Sequence, residues 1–142
     1  MTVAIELDNR SSAALDETAL RRVLEAALAT EGVDDGEVGV ALVDEPEMAE
    51  LNAVHRGKDA PTDVLSFPLD GHDPLPADVP RQLGDLVICP VRAEVDGTPL
   101  DVLMVHGALH LLGWDHETDS GEMLDRQAAV LEEVGARAAE PA

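Results

Sequence analysis

Thr2–Leu7 alternates apolar and polar side chains, the period of a strand with one buried face. Glu37–Val43 reads the same way, and Val64–Phe67 and Leu83–Cys89 are short β-rich runs bounded by prolines. Between the first two strands the period changes. Leu20, Val23, Leu24, Ala27 and Leu28 recur at helical spacing behind Asp16, a suitable cap, and Gly32 lies just past the end. Pro46 suits the first turn of a second helix that runs to about His55 and stops at Gly57. Asp70–Gln82 is rich in proline and acid, lacks any period, and predicts an exposed loop. After the Asp96-Gly97 turn, Thr98 and Pro99 start a further helix, with Asp101 as a reciprocal cap and Gly113 as its stop. Asp119 and Glu122 open a last helix whose apolar stripe is Met123, Leu124, Ala128, Leu131 and Val134. Strands and helices mix without strict alternation and no repeat is visible. The expected fold is α+β, one domain over residues 1–142, with a small mixed sheet of about four strands packed with helices.

Composition sharpens this picture in two places. Phe67 and Trp114 are the only aromatic residues, so the core must be aliphatic. The lone cysteine, Cys89, cannot close an internal disulfide and reads as a buried, inert thiol in a reducing compartment. No apolar run reaches membrane-spanning length and the N-terminus lacks the order of a signal peptide, which together predict a cytoplasmic, soluble protein. Nine Lys and Arg against thirty Asp and Glu give a net charge of −21, with Lys58 the only lysine. A field of that sign repels nucleic acid and anionic membrane. Any polyanionic substrate has to be reconciled with it.

The chemistry concentrates in VHGALHLLGWDH, Val105 to His116. His106 and His110 stand about 40° apart around a helix and project from one face. Two histidines at that spacing are more often surface or core residues than ligands. Here Gly113 allows the chain to reverse, His116 can return as a third ligand, and Asp115 is placed to orient an imidazole. Three neutral nitrogen donors suit zinc and leave a coordination position open, as catalytic sites do. The spacing is that of zinc peptidases, but their general-base glutamate is replaced by Gly107. Peptide hydrolysis is therefore disfavoured. Phosphodiester cleavage needs charge neutralisation more than a dedicated base and fits better.

Three segments, LNAVHRGKDAPTDVLSFP (Leu51–Pro68), LGDLVICP (Leu83–Pro90) and HGALHLLGWDH (His106–His116), resemble the YbeY family of bacterial zinc-dependent endoribonucleases, in the family's order. The resemblance implies a zincin-like histidine helix and one zinc ion held by His106, His110 and His116. It also implies single-strand-specific cleavage in maturation of the small-subunit rRNA 3′ end and in ribosome quality control. The family's functional arginine corresponds to Arg56, a planar donor fork suited to phosphate oxygens. Lys58, two residues on, is a candidate substrate contact that with Arg56 and zinc makes a local positive site. Thr62, Asp63, Ser66 and Asp85 are weaker candidates, and Asp63, Asp85 and Asp115 are alternatives for a general base. The chain departs from the family in three places: His55 and Trp114 stand where a tyrosine is usual, and Val91–Val105 is shorter, where most relatives carry a fuller helix.

The leading expectation is thus an endoribonuclease working on rRNA in the small ribosomal subunit. Ribosomal proteins or a ribosome-associated GTPase would supply context that the acidic surface does not; neither DNA nor membrane is expected. The alternatives are a metallopeptidase-like hydrolase on the same scaffold and a ribosome-assembly factor whose zinc is mainly structural.

Overall fold

The computed structural model describes residues 3–139, with side chains through residue 135. The elements run β1 (Val3–Asn9), α1 (Glu17–Thr30), β2 (Gly36–Leu42), α2 (Glu45–Arg56), β3 (Val64–Pro68), β4 (Gln82–Ile88), α3 (Pro90–Asp96), α4 (Leu100–Leu111) and α5 (Glu122–Ala139). The four strands form one mixed sheet in the order β1-β2-β4-β3. β1, β2 and β4 are parallel, and β3 closes one edge antiparallel to β4. The expected α+β class with four strands is what forms.

Alternation along the strands divides the apolar residues between two layers. Val38, Val40, Leu42, Leu86 and Ile88 face α1, α4 and α5 in the larger core, with Val3, Ile5 and Leu7 packed against it. Val43, Leu65, Val87 and Cys89 face the other way and meet Met48 of α2. Helix α4 is the central element of the larger layer. Seven of its residues, Leu103, Met104, Val105, Gly107, Ala108, Leu109 and Leu111, are buried, which leaves His106 and His110 as the partly open positions after its first turn.

Local signals explain most element ends. Asp16 caps α1 by accepting from Ala19 N at 3.0 Å. Gly57 ends α2 with φ 69°, a conformation that costs glycine little. Three expectations need correction. Thr98 does not cap α4: its N–H donates to Ala93 O and closes the short helix α3, which the periodicity did not predict. Pro99 is the cap residue instead, and Asp101 turns to its neighbour Val102 N. At α5, Asp119 does accept from Met123 N, but Glu122 reaches back to Ser120 N. The inner stripe of α5 is also offset. Met123, Val130 and Val134 are buried with Leu131 beside them, whereas Leu124 and Ala128 face solvent. The residue that completes the inner stripe is polar, Gln127.

Candidate metal centre

The histidine site begins with the end of α4. Leu112 N–H donates to Ala108 O, Gly113 N–H to His110 O, and Trp114 N–H to Leu109 O, while Gly113 takes φ 97°. This is a Schellman-type reversal, and its long bond satisfies a carbonyl that the helix leaves free. The reversal returns His116 to the two imidazoles of α4. Ring centroids lie 4.7 Å apart for His106–His110, 5.1 Å for His106–His116 and 5.3 Å for His110–His116.

The nitrogens converge as well as the rings. One ligand atom from each histidine lies within 4.8 Å of the others, and the Nε2 atoms of His106 and His110 are 3.1 Å apart. Nitrogens at ~2.0–2.1 Å from a tetrahedral ion sit about 3.3 Å from one another, so the trio needs only a small closure to hold a divalent cation. Two of the rings are braced from behind. His110 Nδ1 lies 2.9 Å from Trp114 O, and His106 Nδ1 lies 2.7 Å from Gln127 Oε1. Burial, and next the neighbouring His106, push the pKa of His110 below its ordinary value of 6.5. A neutral imidazole is the state that binds a metal.

The reversal is itself anchored. Trp114 Nε1 donates to Glu31 Oε1 at 3.1 Å, and Arg126 Nε donates to Glu31 Oε2 at 2.8 Å. Glu31, at the end of α1, has a side chain only 8% exposed, so this pair is shielded from solvent screening on the carboxylate side. Three helices thereby fix the turn that holds His110.

A cleft of about 580 Å³ opens in front of the histidines, and Arg56, His55, Thr62, Asp63, Ser66 and Glu117 are among its lining residues. Arg56 is the last residue of α2, and its Nη2 donates to Glu117 Oε1 at 3.3 Å. Asn52, buried one turn earlier, donates from Nδ2 to Ala60 O and ties down the loop that follows Arg56. Lys58 is exposed and does not line the cleft. His55 stacks on Phe67 with centroids 4.0 Å apart, so it serves as a packing ring and not as a fourth member of the histidine cluster. Asp85 is on the opposite face of the sheet, paired in register with Phe67 and lining a separate groove with Gly39, which removes it from the general-base candidates. Asp115 lines the cleft, but its oxygens accept from Glu117 N and Thr118 Oγ1; it stabilises the turn and orients no imidazole. Gln127, Glu31 and Asn52 were missed in the sequence, where each looks like a surface residue of a helix.

A buried helix presenting two imidazoles, with a third supplied by its own reversal, defines a class: α+β proteins with a three-histidine site able to hold a metal ion. A family model described as Endoribonuclease YbeY matches residues 5–135. Relatives carrying that name include those of Moorella thermoacetica, 46% identical over 83% of this chain and 86% of the relative, and Macrococcus caseolyticus, 40% identical over 96% and 97%. The Rhodopseudomonas palustris relative is 42% identical over 94% of this chain and 76% of its own length. Among solved structures, the solution structure of TM1509 from Thermotoga maritima matches with a TM-score of 0.58 and 31% identity, covering 96% of this chain and 91% of that one. This chain belongs to the YbeY family.

Proposed function

We propose that the chain is a zinc-dependent endoribonuclease that cleaves single-stranded RNA in maturation of the small-subunit rRNA 3′ end and in ribosome quality control. The observation that carries this reading is the placement of Arg56 in the same cleft as His106, His110 and His116, although Arg56 is 50 residues from the nearest of them in sequence. Family membership supports the RNA substrate, since the relatives are named as endoribonucleases.

In this reading His106, His110 and His116 hold the ion, and the braces on His106 and His110 keep their rings aimed at it. Zinc bound there supplies Lewis acidity toward a phosphoryl oxygen and toward the attacking hydroxyl. Arg56 gives up its exposed pair with Glu117 and turns its donor fork onto the scissile phosphate. The same contact then stabilises the charge that develops on the phosphorus oxygens. Lys58, outside the cleft, binds the strand where it leaves.

This reading sets two side chains, Arg56 and Lys58, against the substrate's charge in a protein of net charge −21, so few phosphates are neutralised and free RNA binds weakly. Specificity therefore comes from the ribosomal small subunit, through its proteins or an associated GTPase. Gly107 counts against the metallopeptidase alternative, since that position packs on Leu86 and carries no carboxylate; the alternative would need a carboxylate from elsewhere in the cleft.

The test is cleavage of an rRNA precursor by the purified protein, with and without chelator, beside His110→Ala. The proposal expects cleavage in the untreated protein alone, restored after chelation by added zinc. Cleavage undiminished in both controls would refute it.

A further inference from the structure

His106 has a fixed partner at each end of its ring. Its Nε2 lies 3.1 Å from His110 Nε2, and its Nδ1 meets Gln127 Oε1 at 2.7 Å. An amide oxygen only accepts, so this contact calls for the ring proton on Nδ1, which leaves the Nε2 lone pair for the histidine cluster.

The position of Gln127 makes the contact more telling. It lies on the inner stripe of α5 between buried Met123 and Val130, at spacings of four and three residues, where an apolar side chain would satisfy the packing. A half-buried amide there costs free energy unless its hydrogen bonds are made. The two braced histidines also differ in kind. His110 leans on a main-chain carbonyl that substitution cannot remove, whereas His106 leans on a side chain 21 residues away on another helix.

We propose that Gln127 is the positioning residue of the metal centre: its amide oxygen fixes the ring of His106 in the tautomer and orientation that present Nε2 to a divalent ion. The inference rests on the metal-site reading above. Through it the docking of α5 against α4 becomes a determinant of metal affinity, and removing such a partner costs roughly 10–100-fold in that affinity.

Two substitutions separate positioning from packing. Gln127→Met fills the same stripe and lacks the acceptor; Gln127→Glu keeps an acceptor at the same reach. Zinc affinity is measured for both, for the unmodified protein and for His106→Ala, by competition with a chromophoric chelator. Ring tautomers are read in the zinc-free proteins by 15N NMR, and each zinc-free protein is melted. The expected result is a protonated Nδ1 at His106 in the unmodified protein and roughly 10–100-fold weaker zinc binding by the Met variant without a lower melting temperature. The Glu variant is expected to bind zinc at least as tightly as the original. Equal zinc affinity in the Met variant, or a His106 ring protonated on Nε2 in the unmodified protein, overturns the inference. The tautomer needs no substitution, so it decides even if the Met variant melts early. Failure of the unmodified protein to bind zinc more tightly than His106→Ala would instead overturn the metal-site reading itself.

Discussion

Gly107 and Leu86 touch across the interface between α4 and β4: a Cβ built on Gly107 would lie 2.7 Å from Leu86 Cδ2 and 3.1 Å from Cδ1. Zinc peptidases with this histidine spacing keep their general-base glutamate at the corresponding position. Here that position points into the sheet, against a leucine with no exposed surface. The close packing of the helix thus leaves no room for a glutamate at this position. Gly107→Glu should drive a carboxylate into this contact and destabilise the protein by ~3 kcal/mol or more. Thermal melting reads the loss, and a peptidase assay of the variant should remain blank.

Arg56 stands in the cleft without belonging to the histidine cluster. Arg56→Ala should leave zinc content and melting temperature unchanged while cleavage falls by roughly 10²–10³-fold, the usual loss when one donor to a developing negative charge is removed. A variant that loses both zinc and cleavage would place Arg56 in the structure of the metal site. If neither form shows zinc-dependent turnover, the chain is a binding factor.

Glu117 holds Arg56 through a pair exposed on both sides, 46% and 63% for the two side chains. Such pairs are worth ~0–1 kcal/mol and weaken with salt. Glu117→Gln should free the guanidinium for phosphate and lower KM for a single-stranded RNA by up to about fivefold at low ionic strength. The gain should shrink as salt is added, with kcat little changed. An unchanged KM at low salt would show that Glu117 does not compete with substrate.

The depressed pKa of His110 gives a pH dependence of defined sign. The unfolded chain takes up a proton at His110 more readily than the folded one, so stability contributed by the neutral ring is present above its ordinary pKa of 6.5. It is lost as pH falls through the lower folded value. Melting of the zinc-free protein against His110→Asn, from pH 7.5 to 5, should show the unmodified protein losing stability relative to the variant. The comparison cancels the shared titration of the carboxylates. A constant difference across that range would contradict a half-buried His110 held neutral.

Most of this architecture is legible from period and punctuation, because they act within one element. Alternation marks the faces of β1 and β2, and Gly57 and Gly113 stop their helices by occupying positive φ. The histidine trio is legible for the same reason, since two of its members share a helix face and the third follows a local reversal. What was hidden depends on contacts between elements. α5 turns a different face inward than hydrophobicity alone suggests, because Gln127 takes an inner position to reach His106 while Leu124 gives one up. Glu31 looks like an ordinary helix-end acid until Trp114 and Arg126 converge on it. Asp85 sits in one of the family-like segments, Leu83–Pro90, yet lies on the other side of the sheet in space, since one residue along a strand changes the face. The helix α3 is too short to show a period.

The claim beneath all of this is that three imidazoles gather one divalent ion. Zinc per chain, measured by elemental analysis after gel filtration in zinc-free buffer, tests it most directly. The account predicts one equivalent in the unmodified protein and a small fraction of that in His106→Ala, His110→Ala and His116→Ala. A folded, unmodified protein that cannot be loaded with zinc, or histidine variants that keep a full equivalent, would contradict it.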